Sequence, residues 1–317
     1  MKLYVERISG KQFMHPRFWP TWLGLGCLWL ITKLPWKTQM WLGKLLGLVM
    51  FYSLPRRRFI SCVNLHLAFP ALSYSERYQL NRNHFISLGR GLLETSLSWW
   101  GNQQMLAKHT RIEGIEHLHE AMQRGGVVLL SAHFTSLELG GRLLAQHFPL
   151  HVIYRPHQNP VIEWRVARLR AKRYGKAISR DNIREMVRSL KQGHVVWYAQ
   201  DQHFHHKGSL FIPFFGVDTP TNTATSRLSD LGNASVVPFF TLRTHNGYLL
   251  NILPALENFP SASVEQDTLR INHIIEKQAI DYPEQYLWTH RRFKDPPGGG
   301  DRYQLYRDNP PKEGGCL

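Results

Sequence analysis

Gly125-Gly126-Val127-Val128-Leu129-Leu130-Ser131-Ala132-His133-Phe134-Thr135-Ser136-Leu137-Glu138-Leu139-Gly140 reads as a strand, a tight turn and the start of a helix. Val127, Val128, Leu129 and Leu130 form an unbroken apolar run rich in β-branched residues, as expected of a strand buried on both faces. His133 falls where that strand ends. Thr135 is the expected helix N-cap, with Glu138 three residues on. A polar, titratable pair is thus predicted just beyond the carboxyl end of a buried strand, where open α/β sheets place their ligands.

The His133-x4-Glu138 spacing carries a geometric condition. Residues five apart on one helix point about 140° apart, because facing positions need spacings of three or four. The two side chains meet only if His133 precedes the helix and Glu138 sits on its first turn. In that arrangement a carboxylate holds one ring nitrogen and leaves the other free as a base. Two plainer readings stay open on spacing alone. Glu138 would then only complete a Thr135-x-x-Glu138 capping box, and His133 would be one of 17 histidines without chemistry.

Charged residues are 20% and hydrophobic ones 43% of the 317, which describes a globular chain with ample core and excludes a disordered one. Lys and Arg number 39 against 23 Asp and Glu, a net charge of +16, so an anionic partner is expected. No zinc-finger or RNA-binding signature accompanies the charge, so no nucleic acid is expected. Cys27, Cys62 and Cys316 form no CxxC pair, so no thiolate metal site is expected. Gly24 and Gly26 lack the lysine of a phosphate loop, which argues against nucleotide binding.

Between Arg17 and Lys33 lie 15 uncharged residues including Trp19, Trp22 and Trp29. The run is short of the ~20 apolar residues of a full span, but flanking cations can snorkel and extend it. A second apolar run, 45–54, ends at Arg56-Arg57-Arg58. Tryptophans and basic residues at such borders suit a bilayer interface, so a membrane-attached N-terminus is expected, as a transmembrane helix or lying in the membrane. Residues 73–108 read as helical, with a Ser73-x-x-Glu76 capping box and an aromatic close at Trp99-Trp100.

From Ile112 strand and helix alternate. Strands are expected at 127–131, 151–154, 194–199, 235–242 and 248–253, and helices at 116–123, 137–146, 161–174, 183–191, 223–231 and 268–280. Such alternation implies βα units and a largely parallel sheet. The expected organisation is an N-terminal membrane-attached helical segment at 1–60, an α/β domain at 61–295 and a loose Pro/Gly-rich tail at 296–317.

Around the 161–174 helix lie Arg155, Arg165, Arg168, Arg170, Lys172 and Arg173. Arginine suits bidentate binding of phosphate or carboxylate and stabilises developing negative charge. A solvated basic face is the plainer alternative. Asp201 follows the strand at 194–199 and so falls at the same sheet edge as His133, placed to orient an arginine or a substrate, or as an ordinary loop acid. His203, His205 and His206 have neither the i, i+4 spacing of a zinc pair nor an apparent acidic co-ligand, so no metal is expected.

The residues as a set resemble the late acyltransferases of lipid A biosynthesis. The similarity runs from His15-Pro16-Arg17-Phe18-Trp19 through Asn64-Leu65, Phe69-Pro70, the His133-x4-Glu138 block, Tyr154-Arg155-Pro156 and residues 193–201. It continues through Val237-Pro238-Phe239 to Pro283-Glu284-Gln285-Tyr286-Leu287-Trp288-Thr289-His290-Arg291-Arg292-Phe293, which is most of the chain. The resemblance implies a glycerolipid-acyltransferase-like mixed, mostly parallel α/β fold on the cytoplasmic side of the bacterial inner membrane. It implies transfer of a fatty acyl group from acyl carrier protein to a hydroxyl of a hydroxyacyl chain on Kdo2-lipid IVA, with no cofactor. His133 takes the family's base role with Glu138 orienting it; the family's functional arginine and aspartate align with Arg170 and Asp201. The wider superfamily has Asp where this chain has Glu138. An acyltransferase acting on another membrane lipid, from acyl-CoA or acyl carrier protein, is the alternative.

Overall fold

The computed structural model describes residues 10–309 apart from Lys207. After two short 3-10 turns come five helices: α1 (Trp19–Ile31), α2 (Trp36–Ser53), α3 (Pro55–Ala68), α4 (Tyr74–Trp100) and α5 (Gln103–Lys108). The expected capping box closes at the start of α4: Glu76 N–H donates to Ser73 Oγ at 3.3 Å and Ser73 N–H to Glu76 Oε2 at 2.7 Å.

The α/β body follows: β1 (Thr110–Glu113), α6 (Ile115–Arg124), β2 (Val127–Ser131), α7 (Leu137–Leu144), β3 (Leu150–Tyr154), α8 (Pro160–Arg173), β4 (Lys176–Ser179), α9 (Ile183–Lys191) and β5 (Val195–Ala199). Then come β6 (Ser209–Phe214), β7 (Val217–Asn222), α10 (Ala224–Gly232), β8 (Ser235–Thr244), β9 (Gly247–Ile252), α11 (Val264–Asp281) and α12 (Arg302–Asp308). Seven strands form one sheet in the order β1-β9-β8-β2-β5-β3-β4. β8, β2, β5, β3 and β4 run parallel, while β9 pairs antiparallel with β8 and parallel with β1. The mixed, mostly parallel sheet matches expectation.

β2 lies at the centre and is buried at every position. Its alternation sorts two cores. Val128 and Leu130 join Val196, Val236, Phe240, Ile271 and Trp288 on one face, while Val127 and Leu129 join Leu139, Leu143, Val195, Val237 and Phe239 on the other. Helices cover both faces, which is why β2 needs no polar residue before Ser131.

Four strands escaped the sequence reading. β1 and β4 are four-residue edge strands with little buried side chain. β6 and β7 carry Pro213 and Pro220, which argue against strand, but the pair stands apart as a two-stranded hairpin with no central ladder to break. Its two-residue turn puts Phe215 at φ 52° and Gly216 at φ 70°, the left-handed pair that a tight hairpin turn requires.

Two expectations for the ends need correction. The apolar run from Phe18 to Thr32 forms a helix of only 13 residues, roughly 20 Å long against a ~30 Å hydrocarbon core. Among the described residues no helix is long and apolar enough to cross a membrane, so the transmembrane expectation finds no helix to carry it. The N-terminal helices are also part of the body: α2 lies so close to α4 that a Cβ on Gly89 would fall 2.3 Å from both Gly43 O and Gly47 N. Nor is the tail loose throughout. α12 packs on α3, where Tyr303 is buried and its hydroxyl donates to Asn64 Oδ1 at 2.5 Å. Residues 310–317 lie outside the described residues.

Candidate active site

β2 and β5 are parallel neighbours with Ser131 opposite Ala199. Two residues beyond each partner stand His133 and Asp201, so strand register alone delivers both to one point past the sheet's carboxyl edge. Asp201 accepts from His133 twice: Oδ1 from the ring Nδ1–H at 2.7 Å and Oδ2 from the backbone N–H at 3.0 Å. The buried Tyr286 phenol stands beside the same carboxylate: burial first, and then the Asp201 charge, push its pKa well above the ordinary tyrosine value. Asp201 is buried, and each of its oxygens accepts one of the two bonds from His133. Burial disfavours its charge, but the His133 imidazole and these hydrogen bonds outweigh that and hold its pKa below the ordinary carboxylate value.

The same pairing acts on the histidine. Burial disfavours an imidazolium, while the Asp201 charge and hydrogen bond, and after them the Glu138 charge, favour it; the outcome is a pKa above the ordinary histidine value. With Nδ1–H committed to Asp201, Nε2 is left as the basic nitrogen, on a side chain still 27% exposed.

The 283–293 segment clamps this loop from the other side. Leu287 N–H donates to His133 O at 2.9 Å, Thr135 N–H to Gln285 O at 2.8 Å, and Phe134 bridges Tyr286. Gln285 in turn holds the backbone of Arg243, bonding its N–H at 2.7 Å and its C=O at 2.9 Å. Arg243 forms a buried bidentate pair with Glu94 at 2.5 and 2.6 Å. His290, in the same segment, accepts from His203 N–H through Nε2 at 3.0 Å, which requires the neutral Nδ1–H tautomer there. Burial pushes its pKa down to about 4, consistent with that neutrality.

The hydrogen bond to His133 expected from Glu138 is made by Asp201. Glu138 is exposed on the first turn of α7 and influences His133 by charge, without a hydrogen bond to it. The reason is the start of α7. Ser136, not Thr135, occupies the N-cap position and makes no capping bond; its hydroxyl instead donates to Thr241 O at 2.7 Å. Thr135 Oγ1 bonds Ser87 Oγ at 2.8 Å and accepts from Arg243 at 3.2 Å, so no capping box forms. α7 is also drawn tightly onto the sheet: a Cβ at Gly140 would meet Thr241 Oγ1 at 1.6 Å.

Arg170 lies with its guanidinium 5.3 Å from the Tyr154 ring. It shares one neighbourhood with Glu138, since both act on the buried Tyr174 phenol, whose pKa burial and then the Glu138 charge raise. Arg155 is exposed on the loop after β3 and is not brought to His133. Tyr286 was missed as a site residue: it lies 153 positions after His133, and the pairing of its segment with Phe134 and its neighbours brings it there.

The histidine-rich loop also gains a partner that its local sequence lacks. Asp295 Oδ2 lies 2.9 Å from His203 Nε2 and 2.8 Å from His205 Nδ1, a trio able to ligate a metal ion. His206 stays exposed and outside it.

A family profile described as bacterial lipid A biosynthesis acyltransferase matches residues 8–295. The chain is 41% identical to the lipid A biosynthesis palmitoleoyltransferase of Escherichia coli K12 over 91% of its own length and 95% of that protein. It is 37% identical to the lipid A biosynthesis lauroyltransferase of the same organism, over 90% and 95%. A lipid A biosynthesis acyltransferase of Haemophilus influenzae is 32% identical over 90% and 93%. Among solved structures, the 1-acyl-sn-glycerophosphate acyltransferase of Thermotoga maritima aligns at a TM-score of 0.35 and 12% identity, covering 74% of this chain and 96% of that one. The chain belongs to the bacterial lipid A biosynthesis acyltransferases and is an acyltransferase enzyme.

Proposed function

We propose that this enzyme transfers a fatty acyl group from acyl carrier protein to a hydroxyl of a hydroxyacyl chain on Kdo2-lipid IVA, with His133 as general base. The observation that carries the reading is the His133–Asp201 pair: one ring nitrogen committed to a buried carboxylate, the other free at the sheet's carboxyl edge. His133 Nε2 takes the acceptor hydroxyl proton as its oxygen attacks the thioester carbonyl. The tetrahedral oxyanion collapses, the thiolate leaves, and the imidazolium returns the proton to sulfur. No acyl-enzyme is needed. Asp201 stabilises the transient imidazolium and fixes its tautomer. Glu138 adds negative charge beside it, and the uncapped first turn of α7 together with Arg170 supplies candidate donors to the oxyanion.

The partners follow from charge and surface. A net charge of +16 suits an acidic carrier protein and a phosphorylated acceptor. Leu23, Trp19, Trp41, Val49 and Tyr52 are between 56% and 71% exposed on α1 and α2, an apolar face that fits insertion into the cytoplasmic leaflet of the inner membrane without crossing it. The names of the relatives support a lipid A acceptor and a long-chain acyl donor.

Mass spectrometry of purified enzyme with Kdo2-lipid IVA and a mixture of acyl carrier protein thioesters tests this. A single acyl addition is expected, falling ~10²–10⁴-fold in His133→Ala. Folded, membrane-bound enzyme that gives no product with any of these thioesters would overturn the assignment; product from acyl-CoA alone would redirect the donor.

A further inference from the structure

A crevice of about 140 Å³ opens between α3 and α12, large beside the roughly 10–15 Å³ that one water needs. Arg56, Arg291 and Arg307 line it with Phe59, Asp301 and Gln304. Three arginines and one carboxylate therefore line the same crevice. That carboxylate is already engaged: both Asp301 oxygens lie 2.5 Å from Arg291 Nη2, and Oδ1 also caps α12 by accepting from Tyr303 N–H at 3.0 Å. Arg307 rests 5.4 Å from the Phe59 ring, and Arg56 is exposed. Among the described residues neither has an ion-pair partner. Arg56 also sits in the first turn of α3, which has no acidic residue and no capping side chain, so the helix dipole adds to the positive field. Guanidinium forks converging in such a field suit the oxygens of a phosphate group.

Position says where the phosphate comes from. The exposed apolar residues of α2 run through Trp41, Leu45, Val49 and Tyr52 to Leu54, immediately before Pro55 opens α3. The arginines therefore begin where the apolar surface stops, the level at which headgroups stand when such a surface enters a bilayer. The crevice is also coupled to the catalytic loop. Arg57 donates to Thr289 O at 3.2 Å, and Leu287, which bonds His133 O, precedes Arg291 by four residues, at most roughly 14 Å of fully extended chain.

We propose that the arginine crevice between α3 and α12 binds a phosphate group of a membrane lipid, and that the phosphorylated acceptor is held there while its hydroxyl reaches His133. The acceptor half rests on the acyl-transfer reading above; the binding half does not.

The test uses the full chain and two double variants, Arg56→Gln/Arg307→Gln in the crevice and Arg111→Gln/Arg184→Gln elsewhere. All four side chains are exposed, and equal melting temperatures confirm folding. Binding is measured to phosphatidylcholine vesicles with and without phosphatidic acid, whose headgroup is a phosphate monoester, and to inorganic phosphate. The crevice variant is expected to lose about tenfold in affinity for the phosphatidic acid vesicles, and the distant variant far less. Equal losses in both variants would reduce the effect to net charge and overturn the site. Inorganic phosphate bound through the same arginines, without preference for the vesicles, would overturn the lipid assignment. In the acyl-transfer assay the crevice variant is expected to raise the acceptor KM more than it lowers kcat. Transfer with an unchanged KM would overturn the acceptor half alone. Wild-type protein that binds vesicles through the crevice but transfers no acyl group would instead sink the acyl-transfer reading and leave the phosphate site standing.

Discussion

His133 is held between burial, which disfavours its charge, and the Asp201 carboxylate, which favours it, and their directions predict its behaviour. Its raised pKa means that the ring is protonated at pH values where an ordinary histidine is free, so with His133 as the proposed base the acid limb of kcat/KM is expected above pH ~6.5. In Asp201→Asn the desolvation remains while the main attraction is gone. The His133 pKa should then fall, the limb move to lower pH, and kcat drop because the tautomer is no longer fixed. Glu138→Gln should lower the same pKa by less, since its charge acts more weakly than either the charge or the hydrogen bond of Asp201. NMR titration of the His133 ring in the two variants checks the order; an equal or larger fall in Glu138→Gln would refute it. The pair also links to stability. The His133 contribution is complete below the unfolded histidine value and is lost as pH rises through its raised folded value. Asp201, with a lowered folded value, contributes above the unfolded carboxylate value and loses that contribution as pH falls through its folded one.

At the scale of elements, close approach replaces side chains where α2 crosses α4. α2 and α4 meet through Gly43, Gly47 and Gly89, where a methyl group would strike backbone that cannot move aside. Gly89→Ala is expected to cost about 1–3 kcal/mol by overpacking, read as a lowered denaturation midpoint with an unchanged m-value. Buried Asn64 ties three elements: its Nδ2 donates to Trp288 O at 2.6 Å and His290 O at 2.7 Å, and its Oδ1 accepts from Tyr303. Asn64→Ala leaves those groups unpaired, at about 1–3 kcal/mol for each that stays dry, and should expose α12 to proteolysis before the rest of the chain. Protection of α12 unchanged from wild type would contradict that tie. The central strands and most helices were legible because their apolar periodicity is strong. The edge strands and the Pro-containing hairpin were not, since their stability lies in pairing with distant or adjacent partners.

Across the whole molecule, a basic surface and an exposed apolar face coexist, and among the described residues no helix is long and apolar enough to cross a membrane. Vesicle association is therefore expected to have two separable parts. Replacing Leu23, Trp41 and Val49 by Asp should abolish sedimentation with phosphatidylcholine vesicles while leaving the melting temperature nearly unchanged, because none of the three is buried. Raising salt should weaken only the additional binding to anionic vesicles. Salt sensitivity of binding to neutral vesicles would mean that the apolar face does not act as the anchor.

The sequence by itself determined the buried strand at 127–131, the turn that exposes His133 beyond it, the alternation that builds a mostly parallel sheet, and the resemblance that names the family. These rest on local periodicity and short spacings, which a single chain displays directly. Only the tertiary structure decided which acid holds the histidine. A hydrogen-bond partner is chosen by distance in space: parallel register between β2 and β5 brings Asp201 to His133 across 68 residues of chain, while Glu138, five residues away, is turned outward by the helix it sits on. The same holds for Tyr286 beside Asp201, Asp295 between two histidines, and three arginines gathered from α3, α12 and the 283–293 segment. Each depends on where the sheet and helices bring distant segments, which no local pattern encodes.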